Sequence, residues 1–538
     1  MTGSTNPDFD VIVVGAGFAG LYLNHSLRKL GFRVRVFEAG PDVGGTWLWN
    51  RYPGARCDVE SIIYSYSFSP ELQEEWVWSE RYAKQAEILA YIHHVADRFD
   101  LRRDMQFNTR VTGATFDEAA GQWIVETGAG QRHSARFVIM ATGALTVPKP
   151  IDIPGLDQFK GRWYHSTNWP EEGVDFTGQR VGIVGTASTG VQMIPLIAEQ
   201  AAHLTVFQRT PNFVLPAGNR PLAEEEQQRI RATYPQIREK TRYSNGGSHY
   251  EFNNRSALEA TPEERQRVYE ENYRRGGLAF LGSFNDLLTR DEANQTAADF
   301  VRGKIRAIVK DPQVAEKLCP QGYPLGARRL CVGTDYYATF NRDNVSLLDL
   351  NRTPIEAITA DGVRTAEGEL PLDTLVFATG FDAITGALSR IAITGRGGMA
   401  LKDKWRDGPS SYLGLATAGF PNLFITTGPG SPGSLTNVVV AIEQHVEWIV
   451  ACIDVMRARG ETLIEASQAA ETAWGEKIAA LSQMTLHRKA NSWYTGANIP
   501  GKPRVFMPFV GGFGNYRRIC DAVVANDYEG FVRSGGAA

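Results

Sequence analysis

The sequence predicts an α/β protein built from two copies of a strand–turn–helix–strand unit, the second interrupted by a helical insertion. Three observations predict it. Residues 10–14 are a short apolar run followed at once by Gly15-Ala16-Gly17-Phe18-Ala19-Gly20. Residues 180–184 are another such run, followed by Gly185-Thr186-Ala187-Ser188-Thr189-Gly190. Between about Asn219 and Lys317 charged and polar residues take over, with helical patterns at 223–231, 262–274 and 291–309.

In the first copy the helical pattern runs through Leu21, Leu23 and Leu27 to Gly31. Residues 34–37 form the returning strand, and Glu38 ends it. Glycines at such a turn let backbone N–H groups approach a pyrophosphate at the helix N-terminus, where the dipole is positive. An acid after the second strand accepts hydrogen bonds from a ribose diol. Gly15, Gly17, Phe18, Ala19, Gly20 and Glu38 are therefore candidate contacts. In the second copy residues 204–207 return, but Gln208-Arg209-Thr210 follow with no acid. An arginine there suits a 2′-phosphate, because its planar fork binds phosphate bidentately. Gly185, Thr186, Ser188, Thr189, Gly190, Arg209 and Thr210 are the matching candidates. The first unit thus reads as FAD-binding and the second as NADPH-binding, two Rossmann-like domains. Ala187 stands where the middle glycine belongs, and its methyl crowds the pyrophosphate or displaces it outward. A bare glycine-rich turn is a weak signal, and context strengthens it. Residues 136–143 (RFVIMATG) and 375–380 (LVFATG) add two buried strands that stop at a tight turn.

Composition narrows the class. Hydrophobic residues make up 43% of 538 and charged residues 22%, ordinary for a globular protein. A net charge of -4 carries no basic footprint for nucleic acid or an anionic membrane. The five cysteines, Cys57, Cys319, Cys331, Cys452 and Cys520, form no CxxC or zinc-type pair, so a reduced, cytoplasmic protein is expected and no metal. Met1–Asp8 lacks the pattern of a signal peptide, and no apolar run is long enough to span a bilayer. Thr261-Pro262-Glu263-Glu264 reads as a helix start with a capping box. Gly- and Pro-rich stretches at 427–433 and 496–503 read as active-site loops or plain surface turns.

Residues 159–170 (FKGRWYHSTNWP) resemble the fingerprint FxGxxxHxxxW(P/D) of type I Baeyer–Villiger monooxygenases, placed just ahead of the second glycine motif as in that family. Gly44-Gly45-Thr46-Trp47, Tyr52-Pro53-Gly54 and Asp58 match a second family pattern, and residues 492–502 (SWYTGANIPGK) a third. The likeness covers nearly the whole chain and is strongest to the phenylacetone, steroid and cyclohexanone branch.

The resemblance implies a reaction. NADPH passes a hydride to FAD, the reduced flavin captures O2 as a C4a-peroxide, and this attacks a ketone to give an ester or lactone. It implies that Arg329, in Arg328-Arg329, is the catalytic arginine, paired with Asp58. Without it, two solvated surface arginines would be the plainer reading. Arg328 replaces the family's phosphate-binding lysine. Gly45, Thr46, Trp47, Asp58, Tyr64 and Val111 join the FAD contacts, and Trp493 the NADP contacts. Leu145, Gly433, Ser434, Leu435 and Met507 match substrate-pocket positions. His165, the fingerprint histidine, links domains. The expected division is an FAD-binding part at 1–143 and 375–538, an NADP-binding part at 144–218 and 331–374, and an insertion at 219–330. The rivals are an N- or S-oxygenating flavin monooxygenase, a disulfide reductase, which lacks its cysteine pair here, and a non-catalytic flavoprotein.

Overall fold

The computed structural model describes residues 6–535, so the first part of the Met1–Asp8 stretch lies outside the described residues. The apolar run at 10–14 becomes the centre of the first sheet. Phe9–Val14 pairs in parallel with Val34–Phe37 and with Arg132–Met140, in register Val11↔Val34 and Val11↔Phe137. Val11, Ile12 and Val13 are fully buried. Successive strand residues face opposite sides, so a sheet covered on both faces demands a continuous apolar run. Val11 and Val13 pack with the glycine helix Phe18–Lys29 and the long helix Val438–Ala458. Ile12 and Val14 pack with Trp123, Val125 and Phe420 on the other side. Ala392–Thr394 and Leu423–Ile425 return late in the chain to join this sheet.

The second sheet is wholly parallel, in the order Val345–Asp349, His203–Gln208, Arg180–Val184, Thr374–Phe377, Arg162–His165. This corrects the expected boundary at 374/375. Thr374–Phe377 lies inside the second sheet, with Leu375↔Gly182 on one side and Leu375↔Trp163 on the other. The second unit therefore continues through Ala378 before the chain crosses back. Parallel pairing is decided by distant partners, which no local pattern names.

The insertion packs against the second unit in one shared core. Ala293, Ala297, Val301 and Ile305 form a buried i, i+4 stripe on Asp291–Ile308 beside Val191 and Ile194 of the second glycine helix. Thr261 and Glu264 form the capping box read from the sequence. One helix is longer than its pattern predicts: Glu224–Tyr243 runs through Pro235. Arg238, one turn on, donates to Gln73, Ser65 and the Tyr66 carbonyl of the first unit. These tertiary bonds offset the backbone bond that proline removes. Among the described residues no helix is long and apolar enough to cross a membrane, and no cluster of His, Cys, Asp and Glu is placed to hold a metal ion.

Two buried histidines set a pH dependence. Burial pushes His445 down to about 3 and His487 down to about 4. An unfolded imidazole titrates near 6.5. Below that pH the unfolded chain binds more protons than the folded one, so stability falls as pH drops, by up to about 1.4 kcal/mol per pH unit for each histidine. His487 lies edge-on to Tyr494 and Phe506. His487→Phe is expected to flatten the acid side of the stability curve in urea melts; an unchanged slope would remove this histidine as a source.

Candidate active site

The two glycine turns are alike down to the atoms. Gly15 has φ +108°, and a Cβ there would meet the Ala141 carbonyl oxygen at 2.5 Å; Gly185 has φ +111°, and a Cβ would meet the Ala378 carbonyl oxygen at 2.5 Å. Ala141 and Ala378 open the two Ala-Thr-Gly stretches. Each stretch is thus the strand end on which one turn is folded. Ala187 and Gly17 occupy equivalent helix caps with ordinary extended backbone, φ -81° and -84°. Alanine at 187 therefore costs no backbone strain.

The first turn fits a dinucleotide. Phe18–Lys29 begins with no side-chain cap, which leaves N–H donors pointing outward. A Cβ on Gly17 would touch only Gly45 backbone, at 3.4 Å. Gly45 (φ +53°) lays Thr46 and Trp47 across this turn, Trp47 Nε1 donates to Tyr64 Oη at 3.2 Å, and Tyr64 stands edge-on to Phe18. Glu38 is buried, and its carboxylate accepts from Ala16 N and Gly40 N, each at 2.7 Å. Val111 is buried beside Val14 and Phe37, just beyond Thr109, whose N–H donates to the Glu38 carbonyl.

The second turn fits a more anionic partner. Ser188–Gln200 also starts with no side-chain cap, and Gly190 packs on the Gly185 carbonyl. Thr186 Oγ1 donates to the Thr210 carbonyl at 3.3 Å, which ties turn to strand end. Arg209 is exposed there. Arg328 lies over the Tyr323 ring with its Nε buried and without a partner, and its guanidinium is pulled below the usual range by burial and then by the Arg209 charge. Lys149 is lowered by the same two causes. Among the described residues no carboxylate forms an ion pair with any of the three. Cations gathered against their own repulsion, next to an uncapped helix, are what a phosphate requires.

Between the turns sits a fixed guanidinium. Gly54 presses on the second glycine helix, where a Cβ would meet the Gln192 carbonyl at 2.5 Å, and Tyr52 Oη donates to Gln192 Oε1 at 2.9 Å. This contact delivers Asp58 to Arg329. Arg329 Nε donates to Asp58 Oδ2 at 2.8 Å and Nη2 to Oδ1 at 2.7 Å, across 271 positions of sequence. Nη1 donates to the Ser434 carbonyl at 3.4 Å. Burial works against the arginine's charge, but Asp58 outweighs it and holds the guanidinium well above its usual range. It stays cationic at every working pH. The side chains keep 28% and 19% exposure, so the pair is not sealed from solvent. Asp58→Asn is expected to cost about 2–3 kcal/mol, somewhat below the value for a fully sealed pair. A change under ~0.5 kcal/mol in urea melts would show that the fork is not held by charge.

A family model described as flavin-binding monooxygenase-like matches residues 9–220. A protein of Pseudooceanicola batsensis described as a Baeyer-Villiger monooxygenase is 44% identical over 99% of this chain and 97% of its own. The chain belongs to the Baeyer–Villiger monooxygenases. A solved steroid monooxygenase bound to NADP matches this family member with a TM-score of 0.95 and 51% identity, over 98% of this chain and 100% of that one. Phenazine N-monooxygenase PhzNO1 of Lysobacter antibioticus is 43% identical over 99% of this chain and 98% of its own.

In this Baeyer–Villiger monooxygenase the loop at 492–502 is docked. Lys502 Nζ meets Asp382 Oδ1 at 2.6 Å, and Asn498 Nδ2 donates to the Phe381 carbonyl at 2.6 Å. Trp493 packs with Ala144, Ala383, Ile384 and Met507. Leu145, next to Ala144, is 38% exposed, whereas Met507 is buried, so the two do not share one enclosed wall. Gly433, Ser434 and Leu435 form the turn that supplies the carbonyl to Arg329. Tyr494 beside Arg329 is raised to about 12 by burial, despite the arginine's charge, and stays a proton donor. Lys149 carries no sequence signal, because a single residue without spacing looks like any other; Tyr494 and Ser434 lie in stretches the resemblance singled out, but not for their contacts with Arg329. Trp169 of the fingerprint is buried against Tyr164 and Phe176, and His165 bonds Thr167 and Thr379. Trp169 braces the second unit, and His165 ties that unit to Thr379, where the chain crosses back to the first.

Proposed function

We propose that this chain oxidises ketones to esters or lactones with NADPH and O2, holding FAD at the first glycine turn and NADPH at the second. The observation that supports it most is Arg329, gripped bidentately by Asp58 where the two units meet. Bound FAD, reduced by NADPH, supplies the two-electron activation of O2. The protein's own residues do the rest. Arg329 offers a permanent positive charge to the oxyanion that forms on the attacked carbonyl, already oriented and therefore without reorganisation. Asp58 sets its angle and prevents it from swinging into water. Glu38, which accepts one backbone bond at each oxygen, has acceptor sites left to hold a ribose, and Arg209 and Arg328 take the 2′-phosphate. Trp493 and the docked loop keep water from the Arg329 side of the site. Of the substrate-pocket candidates, Ser434 and Leu435 stand nearest the reacting site, in the turn whose Ser434 carbonyl receives Arg329.

Five free, buried cysteines support a reducing, cytoplasmic setting and speak against a thiol-based reductase. We place no nucleic acid, membrane or obligatory protein partner in the reaction. Nitrogen oxygenation is the competing chemistry, given the phenazine relative. Trp169 packs in the core and does not decide between them. Incubating the purified protein with NADPH, air and either a ketone panel or a tertiary amine decides. Ester formation is expected; N-oxide without ester would overturn the reading.

A further inference from the structure

Helix Val438–Ala458 carries a histidine that the reaction above does not use. His445 is fully buried, yet both ring nitrogens are engaged. The Thr427 backbone N–H donates to Nδ1 at 2.9 Å, and Nε2 lies 3.0 Å from Tyr516 Oη, which itself donates to the Leu413 carbonyl at 2.6 Å. A backbone N–H only donates, so Nδ1 must carry a lone pair. The ring proton then sits on Nε2, Tyr516 Oη accepts it, and the tyrosine proton goes to Leu413. Every donor in this chain points one way. Burial, which pushes the imidazole down to about 3, keeps a second proton off Nδ1.

The residue it holds is strained. Thr427 has φ +52°, a left-handed backbone that a β-branched residue rarely adopts. Its side chain faces Gly433, where a Cβ would lie 3.1 Å from Thr427 Cβ and 3.2 Å from Cγ2. The next residue, Ser434, gives its carbonyl to Arg329. A line of neighbours thus runs from Tyr516 through His445 and Thr427, whose side chain fills the space beside Gly433, to the Ser434 carbonyl and the guanidinium.

We propose that His445 is a positioning residue for Arg329: by accepting the Thr427 N–H it holds that residue in its left-handed backbone and so sets the Gly433–Ser434 turn that receives the arginine. A different origin for the strain, such as packing alone, would leave the acceptor dispensable. The proposal rests on the reading that Arg329 acts on the attacked carbonyl, but its first test does not.

Hydrogen exchange on the FAD-loaded protein reads the turn directly. His445→Leu is expected to speed exchange of the 427–434 amides about fivefold, the loss of one hydrogen bond, with FAD content and NADP affinity unchanged. The second reading is coupling, ester formed per NADPH oxidised, which is expected to fall by a similar factor while peroxide rises. Asparagine places its Oδ1 where Nδ1 stood, so His445→Asn should recover both; glutamine places its oxygen near the Nε2 position, so His445→Gln should not. Wild-type exchange and coupling in His445→Leu would overturn the proposal. So would Asn and Gln variants that behave alike, a comparison that stands even if the leucine variant fails to fold. Altered exchange in a protein that makes no ester from any ketone would support the positioning and overturn the reaction instead.

Discussion

Arg329→Ala is expected to keep its FAD, oxidise NADPH and make almost no ester. The side chain donates to Asp58 and Ser434, not to either glycine turn, so both nucleotide sites keep their backbone and their cations. What disappears is the guanidinium that Asp58 holds in a fixed orientation. Removing a single preorganised donor from a developing oxyanion costs about 10²–10³ in rate, and ester formation should fall by that factor or more. NADPH consumption should continue, with peroxide accumulating in place of product. Arg329→Lys keeps a charge but loses the fork that matches Asp58, so an intermediate loss, on the order of tenfold, is expected. Gas chromatography of a ketone reaction beside an absorbance record of NADPH separates the two quantities. Unchanged ester yield in the alanine variant would remove Arg329 from the chemistry.

The parts of this molecule that a sequence discloses are those where a backbone requirement repeats. Gly15, Gly20, Gly185 and Gly190 are forced by carbonyls less than 3 Å from where a Cβ would stand, and that need recurs in both units at the same spacing. The Ala-Thr-Gly stretches repeat for the same reason. The capping box at Thr261 is local chemistry and reads directly. Contacts made across the chain are silent. Asp58 and Arg329 pair over 271 positions, and only the family likeness singled them out. Thr374–Phe377 has the pattern of any buried strand, and its sheet is chosen by Val181 and Arg162, its distant neighbours. Pro235 writes a helix end that Arg238 overrides by reaching into the first unit. His445 looks like one apolar-face residue among many on its helix, and its work depends on a threonine bent into an unusual backbone eighteen positions earlier.

The second large effect concerns the choice between NADPH and NADH. Arg209 follows the second unit's return strand and Arg328 feels its charge; among the described residues neither forms an ion pair with a carboxylate, and Arg209 repels Lys149 as well. A charge-assisted bond to phosphate contributes roughly 1.5–3 kcal/mol, so Arg209→Ala should raise the Michaelis constant for NADPH about ten- to a hundredfold. The double variant with Arg328→Ala should exceed that, up to ~10⁴-fold if the two act independently. The constant for NADH, which lacks the phosphate, should move little. Equal changes for both coenzymes would remove the assignment. Arg328 also makes a prediction with no coenzyme present. Its side chain is half-buried over Tyr323 with Nε buried and without a partner, which costs stability that an anion would restore. Arg328→Met, which keeps the packing and drops the charge, should therefore melt no lower than wild type without NADP and lower than wild type with it. A variant destabilised in both conditions would mean that the arginine braces the fold and does not wait for an anion.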